Sequence, residues 1–207
     1  MIVPSINWLF CLSTESIIQS GYRYSLVGRE IEYRSEVERI INEYKKENAS
    51  IEYICEVLYY MHSQEKEQYS KHYNDCKNVL VQSSGNNILY LMEAMYHKFD
   101  ENYEESSKLF KQYIDSTGIT QLQFGHISSE VFRKAGKVKE AMEYIDLLIK
   151  EDSTQALYLL ELARVEHAEG DTKKAKKTIG VALDYWKDAD SNYKYLLEAQ
   201  EFQKSLE

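Results

Sequence analysis

Proline is nearly absent from this chain, cysteines are few, and cationic residues are outnumbered by acidic ones; each of these features argues against a class of protein. Only one proline, Pro4, occurs among 207 residues. Because proline disrupts helix interiors and is tolerated mainly in loops and first turns, this composition favours a nearly all-helical chain. With 43% hydrophobic and 29% charged residues, the chain is long enough to bury a core, either as one domain or as an elongated helical array.

The charge balance is acidic, with 25 lysines and arginines against 34 aspartates and glutamates and a net charge of −9. A phosphate backbone would be repelled on average, so no nucleic-acid partner is expected. The one basic cluster, Lys173, Lys174, Lys176 and Lys177, covers a single turn of a helix and is interpreted as a solvated face.

Three cysteines, Cys11, Cys55 and Cys76, form no C-x-x-C pair. An odd number without grouped histidines favours reduced thiols in the cytoplasm over a disulfide framework or a zinc site. The five histidines lack the i, i+4 pairing of a zinc helix, and neither a phosphate-binding loop nor a hydrolase serine motif occurs. The sequence therefore predicts a protein that is not an enzyme and has no metal or cofactor.

No apolar run is long enough to span a bilayer. The uncharged stretch from Ile2 to Thr14 is too short for a membrane helix, and it lacks the basic start of a secretory signal, since the first cation is Arg23. We interpret it as a buried or partner-facing helix.

What the sequence does contain is a repeat. Stepping back 34 residues places Gly170 on Gly136, and a further step of 35 reaches Glu101-Asn102. There asparagine is expected to supply the left-handed backbone that glycine supplies elsewhere. Self-similarity at this period is typical of stacked helical hairpins. The three regular units begin near Asn87, Leu122 and Ala156.

Small residues recur in each unit, one in the first helix and one twelve places later in the second, which lets the two helices approach closely where they cross. Large apolar residues then fill the space beside them, and Asp171 is expected to cap the second helix of the last unit. The small pairs are Ala94 and Ser106, Ser129 and Ala141, and Ala163 and Ala175; the large residues are Phe110, Ile145 and Ile179.

Outside these units the pattern is weaker. One more helix is expected from about Ser191, with an apolar face (Tyr195, Leu196, Ala199, Phe202, Leu206) that closes the array. The predicted segments of a single domain are 1–13 (apolar N-terminal segment), 14–49 (degenerate hairpin), 50–86 (degenerate unit), 87–121, 122–155 and 156–189 (regular units) and 190–207 (capping helix).

The regular units resemble tetratricopeptide repeats. "FRKAGKVKEAMEYIDLLIKED" and "HAEGDTKKAKKTIGVALDYW" carry the turn glycine and the second-helix alanine of that family. The ending "DYWKDADSNYKYLLEAQEFQKSL" looks like the closing segment of such modules in bacterial regulatory proteins. The chain departs from the family in lacking the boundary proline, with Ser153 at one such place. It also keeps the early aromatic only as Tyr90, with Gly125 and Leu159 at the corresponding places.

The resemblance implies an all-α fold: a right-handed superhelix, or α-solenoid, of about four to five hairpins with a C-terminal capping helix. It also implies a concave groove that binds a peptide or an amphipathic helix of a partner protein. Carried over place by place, the partner-binding groove is lined by Leu91, Met95, Phe99, His126, Glu130, Arg133, Leu160, Arg164 and His167, with Ile54, Leu58 and Met61 from the unit before.

Several alternatives stay open at this stage. The apolar groove residues are either an exposed stripe or simply core, and an exposed stripe could receive a partner helix or the chain's own Ile6–Leu12. A chaperone tail is disfavoured, because the family's clamp places hold His126, Glu130, Leu157 and Glu161. Besides a binding scaffold, the chain could be a regulatory or sensory module of a bacterial signalling protein, or a structural homo-oligomer such as a homodimer.

Overall fold

A computed structural model describes residues 66–82, 86–117 and 125–207. Every regular element in these ranges is an α-helix, which confirms the all-α prediction there, and none of these helices is long and apolar enough to cross a membrane. The helices are α1 (Lys66–Gln82), α2 (Asn86–Phe99), α3 (Tyr103–Thr117), α4 (Gly125–Lys134), α5 (Val138–Glu151), α6 (Ala156–Ala168), α7 (Thr172–Tyr185) and α8 (Lys194–Ser205).

The described residues fall in two compact units, one that ends at Val79 and one that runs from Leu80 to Glu207. Helix α1 lies almost entirely in the first, where Tyr69 and Tyr73 stack with their ring centroids 6.0 Å apart. The predicted N-terminal segment 1–13 and hairpin 14–49 lie outside the described residues, as do Ile54, Leu58 and Met61. Helices α2 to α8, and with them the candidate site, lie in the second unit.

Six helices of this unit pair in chain order as helical hairpins. Helix α2 packs on α3 (hairpin 1), α4 on α5 (hairpin 2) and α6 on α7 (hairpin 3). Contacts also join α3 to α4, α5 to α6 and α7 to α8, and α4 packs on α6. Short turns between the helices of each pair make them antiparallel neighbours.

The turns of the three hairpins share one hydrogen-bond pattern. In hairpin 2 the Gly136 N–H donates to the Arg133 carbonyl at 3.0 Å and the Lys137 N–H donates to Phe132 at 2.8 Å. These two bonds define a Schellman motif, in which the residue after the helix adopts a left-handed conformation. Gly136 and Gly170 have φ of 76° and 94°. The same bonds recur from Glu101 and Asn102 in hairpin 1 and from Gly170 and Asp171 in hairpin 3.

In hairpin 1 the left-handed residue is Glu101, with φ of 57°, so the expectation that asparagine supplies it is wrong. Asn102 instead stands one place later, where its side chain accepts a long 3.4 Å bond from the Glu105 N–H. The reason is register: the Schellman bonds fix the residue that follows the helix, and that residue is Glu101 whatever its own preference.

The small residues named from the sequence are all fully buried. Ser106 on α3 donates its hydroxyl to the Ala94 carbonyl on α2 at 2.7 Å. In hairpin 2 the direction is reversed, because Ser129 on α4 donates to the Ala141 carbonyl on α5 at 3.0 Å. At each of these crossings the serine hydroxyl thus donates a hydrogen bond to a backbone carbonyl of the opposite helix, which small residues allow to come close.

Side-chain hydrogen bonds also cap helix α7 and shape the turn between hairpins 2 and 3. The Asp171 carboxylate accepts the Lys174 N–H at 2.9 Å, which confirms the predicted cap of α7. Between hairpins 2 and 3, the Asp152 carboxylate accepts the Thr154 N–H at 2.9 Å and thereby forms an Asx turn. Helix α8 begins three residues later than predicted, and it buries Leu196 and Ala199.

Candidate protein-interaction surface

The nine residues predicted to line a groove lie on α2, α4 and α6, the first helices of the three hairpins. Their exposure differs along the row. His167 is exposed; Phe99, Glu130, Arg133 and Arg164 are half-buried; Leu91, Met95, His126 and Leu160 are buried.

Helices α2 and α4 are joined by an ion pair. The Lys98 ammonium lies 3.2 Å from the Glu130 carboxylate, and Lys134, one turn along α4, lies 2.9 Å from its other oxygen. Burial opposes ionisation of Glu130, but the two ammonium groups outweigh it and hold the pKa of Glu130 well below its usual range. Glu130 is therefore already neutralised by two cations of its own chain.

Helices α4 and α6 are joined more tightly. The Arg133 guanidinium donates to both oxygens of Glu161, at 2.8 and 3.2 Å, and the Glu161 side chain is only 4% exposed. Burial disfavours the cation, but the Glu161 carboxylate raises the pKa of Arg133 above its ordinary value. Bidentate arginine–carboxylate pairs fix orientation as well as contributing energy, so this contact sets how α6 lies on α4.

An ion pair that is closer to the surface joins helices α6 and α8. Arg164 donates to Glu198 at 2.8 Å and also lies 3.7 Å from Glu161. Beside it, His167 meets the Phe202 ring edge-on with centroids 5.9 Å apart. The His167 Nδ1 atom lies 3.3 Å from the Thr172 hydroxyl.

We call these three cross-helix contacts the first-helix ladder: Lys98–Glu130, Arg133–Glu161 and Arg164–Glu198. Sequence reasoning named only one partner of each contact, and it placed Glu161 only as a family clamp position. A signal for the last contact was present, because Glu130, Arg164 and Glu198 follow one another at 34-residue steps with alternating charge. The other partners lie at no common step, so only the packing of the helices brings them together.

Three apolar residues of the predicted groove lie inside the protein. Leu91, Met95 and Leu160 are at most 2% exposed, and the buried His126 ring lies 6.1 Å from the Tyr158 ring. A partner can therefore reach these side chains only if their surroundings move. Their role as binding residues stays a prediction. The accessible residues of the row are Phe99, Glu130, Arg133, Arg164 and His167.

A second set of contacts joins hairpin 2 to hairpin 1 beside the turn. The Lys134 ammonium lies 5.0 Å from the centroid of the Tyr103 ring and donates to its hydroxyl at 3.2 Å. Lys137 donates to the Ser107 hydroxyl at 2.8 Å and lies 3.3 Å from Glu104. Polar contacts thus join the two hairpins both near the turn and along the ladder.

Within the described ranges, no group of three or more histidine, cysteine, aspartate or glutamate side chains lies close enough together to hold a metal ion. No protein-family model matches the chain, and no curated protein matches it in sequence. The resemblance to tetratricopeptide repeats therefore stays a prediction from the residues of the regular units.

Proposed function

We propose that this chain is a non-enzymatic, cytoplasmic protein-interaction scaffold that binds a peptide or an amphipathic helix of a partner protein along its first helices. The observation that carries the proposal is the identical pair of turn hydrogen bonds at Glu101, Gly136 and Gly170. Helical hairpins that repeat with one geometry stack into arrays, and such arrays present one face of successive helices as an extended binding surface. We infer a tetratricopeptide-like solenoid on this basis.

The chemistry of the surface indicates how a partner would bind. Arg133, Arg164 and Glu130 are half-buried and already paired, so a partner would make charge contacts at the rim of these pairs. Such contacts select partners and orient them more than they add affinity. The half-buried aromatic rings of Phe99 and Phe202 would provide the apolar contacts, since aromatic residues carry much of the binding energy at protein interfaces.

A capture experiment with matched variants tests the proposal. The full chain, Arg164→Ala and Lys177→Ala would each be immobilised and crosslinked to proteins of a whole-cell lysate. Arg164 lies in the ladder, whereas Lys177 is exposed on α7, and both variants remove one positive charge. We expect a partner that Lys177→Ala captures as the full chain does and that Arg164→Ala captures less.

The captured partner's segment would then be synthesised and titrated against the folded variants, with circular dichroism confirming equal helix content. Equal capture by both variants would contradict binding along the first helices. Capture of a second copy of this chain, with a dimer that persists on dilution, would instead favour the homo-oligomer alternative.

A further inference from the structure

Glu166, near the end of α6, carries a buried carboxylate that makes few polar contacts with the described residues. It is 1% exposed, and no hydrogen bond of ordinary geometry from the described residues reaches either of its oxygens. The Lys174 ammonium, from the first turn of α7, lies 3.1 Å from Oε1. Among the described residues, the charge of this buried carboxylate is thus balanced by one ion pair, which crosses hairpin 3.

The two partners of this pair differ in solvent exposure. The Lys174 side chain is 58% exposed, so it reaches inward from solvent and can return there. Glu166 raises the pKa of Lys174, mainly through their direct contact, and the ammonium stays charged at neutral pH. Removing the carboxylate would release a lysine into water, whereas removing the lysine charge would leave a carboxylate buried without a counter-ion.

Hairpin 2 shows that the fold does not need an acid at this position. The place of Glu166 is held there, 34 residues earlier, by Phe132, whose ring stacks on that of Tyr144 with centroids 4.9 Å apart. Replacing a buried ion pair by packed apolar side chains is often neutral or stabilising. An ion pair at this place therefore makes the stability of hairpin 3 depend on the lysine charge, where an aromatic pair would not.

We propose that Glu166 and Lys174 form a charge-controlled fastener: hairpin 3 stays closed while Lys174 is charged and opens locally when that charge is removed. The proposal needs no partner and stands apart from the binding function. Its consequence reaches the ladder, because α6 also carries Glu161 and Arg164. Opening of hairpin 3 would release the contacts of α6 with α4 and α8.

Hydrogen exchange of the full chain, resolved by peptide, tests the fastener. Lys174→Gln is compared with Lys173→Gln and Lys176→Gln, which remove the same charge from exposed neighbours on α7. We expect α7 amides of Lys174→Gln to exchange roughly a hundredfold faster, since stranding a buried charge shifts the local opening equilibrium by at least that factor. The two neighbouring variants and Lys174→Arg should exchange as the wild-type chain does.

A second variant separates charge from packing. Glu166→Met should leave exchange of α7 nearly unchanged, and Lys174→Gln combined with Glu166→Met should recover most of the protection that Lys174→Gln loses. Exchange of Lys174→Gln at the rate of the neighbouring variants would overturn the proposal. So would a Glu166→Met chain that exchanges as fast as Lys174→Gln. Equal acceleration in α2 and α3, whose main contacts are with each other and with α4 rather than with hairpin 3, would also overturn it by showing support of the whole unit.

Discussion

Arg133 on α4 holds Glu161 on α6 through two hydrogen bonds, of 2.8 and 3.2 Å, inside the packed face between two hairpins. The pair lies in the middle of the ladder, and both side chains are largely withdrawn from solvent. This bidentate contact therefore constrains how α4 and α6 are oriented relative to each other.

Glu161→Gln should lower the free energy of unfolding by about 3 kcal/mol, because the Arg133 guanidinium would remain largely buried without its counter-ion. Glu198→Gln is the matched control: it removes the same charge from the half-exposed end of the ladder, where an ion pair contributes less than about 1 kcal/mol. Urea denaturation followed by circular dichroism measures both. Equal losses in the two variants would show that burial does not distinguish these contacts.

Glu130 should make the unit sensitive to acid. Its folded-state pKa lies below its ordinary value of 4.5, so its contribution is fully present above about pH 5 and is lost as pH falls below that value. Urea midpoints measured between pH 6 and pH 3 should fall less steeply in Glu130→Gln than in the wild-type chain. Parallel curves would mean that Lys98 and Lys134 do not stabilise the carboxylate.

Gly125→Ala should destabilise hairpin 2 by about 1–3 kcal/mol, the usual result of overpacking. A Cβ at residue 125 would stand 2.7 Å from both terminal carbons of the buried Leu148. Hairpin 3 holds the reverse combination, Leu159 and Ala182, at the same places. Gly125→Leu with Leu148→Ala should therefore recover stability that Gly125→Leu alone loses, as measured by thermal unfolding; no recovery would argue against direct contact.

Glu101→Gly should raise the free energy of unfolding by about 0.5–1 kcal/mol. Glu101 adopts a left-handed conformation that disfavours residues with a Cβ by about 1–2 kcal/mol, offset in part by the greater chain entropy of glycine when unfolded. Gly136→Ala is the converse test, since open space surrounds its Cβ position and any loss would be purely conformational. Chemical denaturation of both should show opposite signs.

Leu91→Ala and Phe99→Ala should behave differently. Leu91 is 2% exposed, so truncation should reduce stability by about 2–5 kcal/mol through the cavity it leaves. Phe99 is half-buried, so its truncation should weaken binding of a captured partner more than it lowers the melting temperature. A binding defect in Leu91→Ala at unchanged stability would show that the apolar row is exposed after all.

Much of the hairpin architecture was predictable from the sequence. The turn glycines, the small residues at the crossings, the large apolar residues beside them and the Asp171 cap are local features, and each depends on residues close in sequence or at fixed helical spacing. The prediction for hairpin 1 was wrong by one residue because the helix end fixed the left-handed position at Glu101 against local preference.

The candidate site was predictable only in part. Residues 126 to 133 and 160 to 167 could be assigned to first helices by periodicity, but their exposure could not, because a leucine in such a row looks the same in a groove and in a core. The sequence by itself determined the helices, the turns and the period, since these follow from local backbone preferences and the spacing of apolar residues. Only the tertiary structure decided which charges meet, as in Arg133–Glu161 and Lys174–Glu166, because side chains distant in sequence become partners only once packed helices bring them together.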